Sequence, residues 1–132
     1  MSETRIERLN PSALHPVQQY SHVVQVTGGR TVYISGQIAL DADGNLVGAG
    51  DFELQARQVM LNLQAALAAV QMDFRHVVKM TLFLKDRADI VRFRSVRAEF
   101  IQEDHLPAMS AVQVASLVRE DLLLEMEAIA VG

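Results

Sequence analysis

Apolar positions along this chain change their spacing from segment to segment, and each spacing predicts an element. In "YSHVVQVTGGRTVYISGQIAL", from Tyr20 to Leu40, β-branched residues gather in two runs, Val23 to Val26 and Thr31 to Ile34, separated by "TGGR". Such residues suit a pleated surface and glycine suits the turn, so the pattern predicts a hairpin. "DADGNLVG" follows as a polar turn; Asp41 and Asp43 lack the further carboxylates and terminal Glu of a calcium loop. Asp51 can cap a helix, and Phe52, Ala56, Val59, Leu63, Leu67 and Val70 recur every three or four residues, giving one stripe on a five-turn helix. "HVVKMTLFLKD" is apolar at most positions from Val77 to Leu84, as a buried strand would be. A second helix is expected from about Ala88 to Gln102, with Ile90, Phe93, Val96 and Phe100 inward. Pro107 closes it, "SAVQVASL" reads as a strand, and "LLLEMEAIAV" as the last one.

The predicted order is therefore ββ, α, β, α, ββ. Strands joined through single crossover helices imply an α+β fold, a mixed sheet with both helices packed on one face. The other sheet face keeps enough apolar side chains to need a cover. The natural cover in so short a chain is another copy of itself, so a closed homo-oligomer is expected.

Length and composition narrow the picture. At 132 residues, half of them hydrophobic, residues 1–132 suit a single domain with a real core. The net charge of -4 gives no long-range attraction for phosphate backbones, so no nucleic-acid partner is expected. Arg92, Arg94 and Arg97 form the only basic cluster, and their helical spacing reads as a solvated face or one seated against a partner subunit. Cysteine is absent, which excludes disulfides and thiolate chemistry and fits a reducing compartment. "MSETRIERLNP" is charged where a signal peptide would be apolar, and no segment is long enough for a membrane span. A cytoplasmic protein with no membrane partner is the expectation.

Chemistry is sparse. His15, His22, His76 and His105 are scattered without ligand spacing, so no metal site is expected. "SGQ", residues 35–37, reads from its spacing as a strand-end turn. Glu125 and Glu127 are two apart and share one face of an apolar strand. Carboxylates there carry a desolvation cost, which poises one for proton transfer if it faces a cleft; the alternative is that both face solvent or pair with arginines at a subunit contact. "LPAMSAVQV" places a thioether, Met109, where the chain enters a strand.

"YISGQIALDADGNLVG", "ARQVMLNLQAAL", "VVKMTLFLKD", "SAVQVASL" and "LEMEAIAVG", in this order, resemble the Rid family of reactive-intermediate deaminases, also called YjgF or L-PSP proteins. The resemblance runs from about Pro11 to Gly132. It implies a chorismate-mutase-like α+β fold, a homotrimer with clefts between adjacent subunits, and cofactor-free hydrolysis of enamines and imines such as 2-iminopropanoate and 2-iminobutanoate. Carried over by position, the pocket tyrosine falls on Tyr20, the strand-end serine on Ser35, and the glutamate that activates water on Glu125. Glu127 is the second acidic position of that motif, read as structural, and Ala111 is assigned to the substrate pocket. Two positions depart from the deaminase pattern: the arginine that clamps the substrate carboxylate falls on Met109, and the pocket asparagine on Arg94. A thioether offers a carboxylate neither donor nor charge. Either Arg94, or Arg97 behind it, supplies the lost charge, or the substrate differs from the standard 2-imino acids and Met109 lines a more apolar pocket, or catalysis is lost. The implied function is thus an imine or enamine deaminase with an altered small-molecule substrate; the alternative is a non-catalytic trimeric ligand-binding or regulatory module. The label ribonuclease, also attached to the family, finds little support in an acidic chain.

Overall fold

Asp51 opens the first helix by accepting a hydrogen bond from the Leu54 N–H at 3.1 Å. In the computed structural model, which describes residues 3–132, this helix is α1 (Phe52–Ala68). It buries the predicted stripe of Phe52, Ala56, Val59, Leu63 and Leu67, while Val70 packs on the core from just beyond its end. The strands are β1 (Arg5–Leu9), β2 (Val23–Thr27), β3 (Thr31–Gln37), β4 (Val77–Leu84), β5 (Ala108–Gln113) and β6 (Leu124–Val131), with α2 (Ile90–Arg97) between β4 and β5. Among the described residues no helix is long and apolar enough to cross a membrane.

The main sheet has the order β3-β6-β4-β5. β4 and β5 are parallel and joined by α2, whereas β6 is antiparallel to both β3 and β4. This is the expected α+β arrangement, a mixed sheet with both helices against one face. Alternation fixes which side chains meet them. Met80, Leu82, Leu84, Leu124, Met126, Ala128 and Ala130 are buried beneath α1 and α2, and Thr81, Phe83, Glu125, Glu127 and Ile129 lie on the opposite, outer face. Each large side chain of the inner set contributes about 1.5–3 kcal/mol by burial. A slip of one residue would exchange that set for two carboxylates, so the register is strongly specified.

Three expectations change. The runs around Val23 and Thr31 are both strands, but they do not form a hairpin: β2 pairs with β1 in a separate antiparallel ribbon, and β3 pairs with β6. Ser21 pulls the start of β2 towards β5, its N–H donating to the Pro107 carbonyl at 3.0 Å and its hydroxyl to the Leu106 carbonyl at 2.7 Å. Arg30 and Gly132 exchange backbone hydrogen bonds, both 3.0 Å, and hold β3 against β6. Gly28 and Gly29, with φ of 76° and 77°, carry the chain from ribbon to sheet through a conformation most residues avoid. β1 lies in a segment that gave no strand signal. The second helix is shorter than expected: after Arg97 the Phe100 and Ile101 N–H groups both turn back to its carbonyl. β5 begins two residues earlier than "SAVQVASL" and ends at Gln113, whose side chain accepts from the Arg87 N–H at 2.8 Å.

Gln55, fully buried on α1, ties the sheet to the loops. Its amide donates to the Gly48 carbonyl at 3.1 Å and the Asp121 carbonyl at 2.9 Å, and its oxygen accepts from the Leu123 N–H at 2.9 Å. The entry to β6 is thereby fixed from α1.

Candidate functional site

Two constellations of candidate residues form, on opposite faces of the sheet. The first is built around Glu125. It stands on the outer face of β6 beside Phe83 of β4, partly buried, with Glu127 exposed beyond it next to Thr81. On the other flank β3 breaks register: Ile34 faces Ala128 but Gln37 faces Met126, so Ser35 and Gly36 form a bulge inside the strand. "SGQ" is therefore a bulge in β3 rather than a strand-end turn. Glu125 lies across Gly36. A Cβ at residue 36 would fall 2.8 Å from the Glu125 carboxyl carbon and closer still to Oε2. The missing side chain is what gives the carboxylate its seat. Ser35 is exposed one residue earlier, and its carbonyl accepts from Gln37 Nε2 at 3.0 Å. Among the described residues neither Glu125 nor Glu127 forms an ion pair, which excludes an intrachain Glu125–Arg94 salt bridge.

The second constellation lies between α2 and the open edge of β5. A cavity of about 90 Å³ there is lined on its polar side by Gln19, Tyr20, Arg94 and Arg97, and on its apolar side by Ile90, Phe93, Met109 and Ala111. Met109 and Ala111 point to the helix-covered face because they pair with the buried Met80 and Leu82. The Tyr20 hydroxyl lies 3.4 Å from His15 Nε2, and its ring meets His22 edge-on at 5.5 Å between centroids. A shallower depression continues along β5 past Ile90 and Ala111 to Val112 and Gln113.

The structure thus brings Tyr20, Arg94, Met109 and Ala111 together, and leaves Ser35 and Glu125 on the other side of the sheet, with β4 between β6 and β5. Of the basic cluster, Arg92 and Arg94 lie on an exposed face as expected, Arg92 paired with Asp89 at 2.9 Å and Arg94 at the cavity, whereas Arg97 is buried, donating to the Gln19 carbonyl and, at 3.1 Å, to Gln19 Oε1. Burial pushes the Arg97 pKa below its usual value, the nearby Arg94 charge pushes it further, and Glu103 opposes both. Gln19 and Gly36 are functional candidates that sequence reasoning passed over, and only Gly36, a glycine inside a strand pattern, carried a readable signal, that of a bulge. No group of His, Asp and Glu able to hold a metal ion occurs among the described residues.

A sequence model described as endoribonuclease L-PSP matches residues 10–132. The chain is 42% identical over 122 residues to "Protein DfrA" of Myxococcus xanthus, across 92% of this chain and 89% of that protein. It is 43% identical over 122 residues to the 2-iminobutanoate/2-iminopropanoate deaminase of Mus musculus, across 92% of this chain and 84% of that one. Among solved structures, the Rid-family protein YyfB of Yersinia pestis superposes with a TM-score of 0.84 at 28% identity, covering 96% of this chain and 98% of that chain.

Proposed function

Because the chain belongs to the Rid family, the endoribonuclease L-PSP group, we propose that it is a hydrolase that deaminates reactive enamine or imine metabolites through water activated by Glu125. The observation that carries this reading is the Glu125 carboxylate, seated over Gly36 in the β3 bulge and without an ion-pair partner among the described residues. A carboxylate held this way accepts a proton from water as the oxygen attacks the iminium carbon. Glu125 returns that proton to the amine of the tetrahedral adduct, the C–N bond breaks to release ammonia, and ammonia takes the proton of the adduct's hydroxyl as the carbonyl forms, so that iminium and water become ketone and ammonium.

The two constellations belong to one site only when chains assemble. We place Glu125 and Ser35 of one subunit across a cleft from Tyr20, Arg94, Met109 and Ala111 of the next, in a homotrimer acting in the cytoplasm on a small-molecule substrate without a cofactor. Support for assembly comes from the outer sheet face, where Tyr33 is 78% exposed, and from the open edge of β5. The substrate is one other than the standard 2-imino acids, because Met109 stands where a bidentate guanidinium would grip their carboxylate. The same substitution favours the second reading, a trimer that binds a ligand without turning it over.

Ammonia release from 2-iminopropanoate, 2-iminobutanoate and imines of larger apolar amino acids, generated in situ, separates the two. Turnover by the native protein that Glu125→Gln abolishes is the expected result; silence on every imine selects the binding module. Light scattering after size exclusion tests the cleft, and a monomer would overturn it.

A further inference from the structure

The cavity between α2 and β5 contains two cations for which the water chemistry of Glu125 has no use. Arg94 and Arg97 are one turn apart on α2 and so share a face. Arg97 is only 6% exposed, yet it lines the cavity, and its Nε is buried with no hydrogen-bond acceptor. Arg94 lines the same cavity and forms no ion pair among the described residues. No carboxylate is among the lining residues. The exposed guanidinium of Arg94 and the buried one of Arg97 stand against a wall of Ile90, Phe93, Met109 and Ala111 and repel each other, and an anion between them would relieve that repulsion and pair the buried charge.

We infer that Arg94 and Arg97 form an anion subsite that holds the substrate's carboxylate from the helix side, leaving Met109 and Ala111 to contact an apolar body. The ligand class is a small carboxylate with a branched or extended apolar chain, and its role as substrate rests on the deaminase reading above. A carboxylate accepts from the exposed Arg94 guanidinium and from the side of Arg97 that lines the cavity, and its hydrocarbon part lies on the thioether. The depression that continues past Ile90 and Ala111 gives a longer chain room along β5. The charge that the family carries on the β5 strand is thereby transferred to α2.

Titration calorimetry of the full chain with 4-methyl-2-oxopentanoate, with the uncharged 4-methyl-2-pentanone of the same shape, and with the shorter 2-oxopropanoate tests this. The six-carbon acid should bind at least about tenfold more tightly than the ketone and more tightly than the short acid, and added salt should weaken it. Arg94→Gln, at an exposed position, should remove that tenfold preference for charge and leave the ketone unchanged. Arg97→Lys keeps a charge but loses the planar fork, and should weaken acid binding in part. Should the buried Arg97 variant fail to fold, Arg94→Gln alone decides. Equal binding of acid and ketone, no binding of either, or a preference that survives Arg94→Gln would each overturn the subsite. Ammonia release keeps the two readings apart: acid binding without turnover of any imine removes the deaminase and leaves the subsite, and turnover indifferent to the carboxylate does the reverse.

Discussion

The β3–β6 half of the sheet and the α2–β5 half each present charge that no opposite charge among the described residues pairs, and they do so by different means. On the first, backbone makes the place: a bulge and a glycine open the space in which the Glu125 carboxylate lies. On the second, side chains make it, with Arg94 and Arg97 reaching from a helix over a strand that carries Met109. A place made by backbone tolerates little change, because any Cβ at residue 36 meets the carboxylate. One made by side chains can have its charge supplied from a different element while the apolar wall stays.

The largest expected break in this comparison is Glu125→Gln. It should lower ammonia release by about 10²–10⁴-fold, the usual worth of a positioned acid–base group, with the thermal midpoint unchanged. Gly36→Ala attacks the same half without touching the carboxylate's chemistry; pushing Glu125 off its seat by about 1 Å should cost about 10²-fold in rate. Full activity in that variant would mean that the seat is irrelevant. On the other half, Met109→Arg should leave turnover of 2-iminopropanoate unimproved or lower it, because the α2 arginines already supply the charge and repel a third guanidinium; a gain of about tenfold would mean that they do not hold the carboxylate. The smallest effect lies outside both halves, at Asp73, whose carboxyl is held down to about 2 chiefly by hydrogen bonds from the Arg75 guanidinium. A depressed carboxyl stabilises the fold above its ordinary value of 3.8, and that share is lost as pH falls from there towards 2. Because the pair is at least half exposed, the share should stay below about 1 kcal/mol. Thermal unfolding between pH 6 and pH 2 should therefore fall slightly less steeply for Asp73→Asn than for the native chain.

What could be read from sequence was what a local period encodes. α1 starts where Asp51 caps it and buries the stripe its spacing drew, and β4 has the limits its apolar run suggested. β1 escaped because three of its five residues, Arg5, Glu7 and Arg8, are charged, and a short polar ribbon has no apolar alternation to show. The false hairpin arose because a glycine turn names a reversal but not the partner, which here is set by contacts from Ser21 to Leu106 and from Arg30 to Gly132. In the site, Arg94 and Met109 meet as the resemblance led one to ask. The seat of Glu125 depends on cross-strand register, and the burial of Arg97 on a contact with Gln19 seventy-eight residues away. Neither distance leaves a trace in local spacing.

The separation of Glu125 and Arg94 by the thickness of the sheet also has a genetic meaning. Within one chain the two lie on opposite faces of the sheet, so in the proposed assembly every working cleft draws on two copies of the chain. Glu125→Gln and Arg94→Gln would then behave as partly complementing alleles: subunits inactive through Glu125 and subunits weakened through Arg94, unfolded and reassembled as an equal mixture, would form about one fully equipped cleft in four by random closure of the ring.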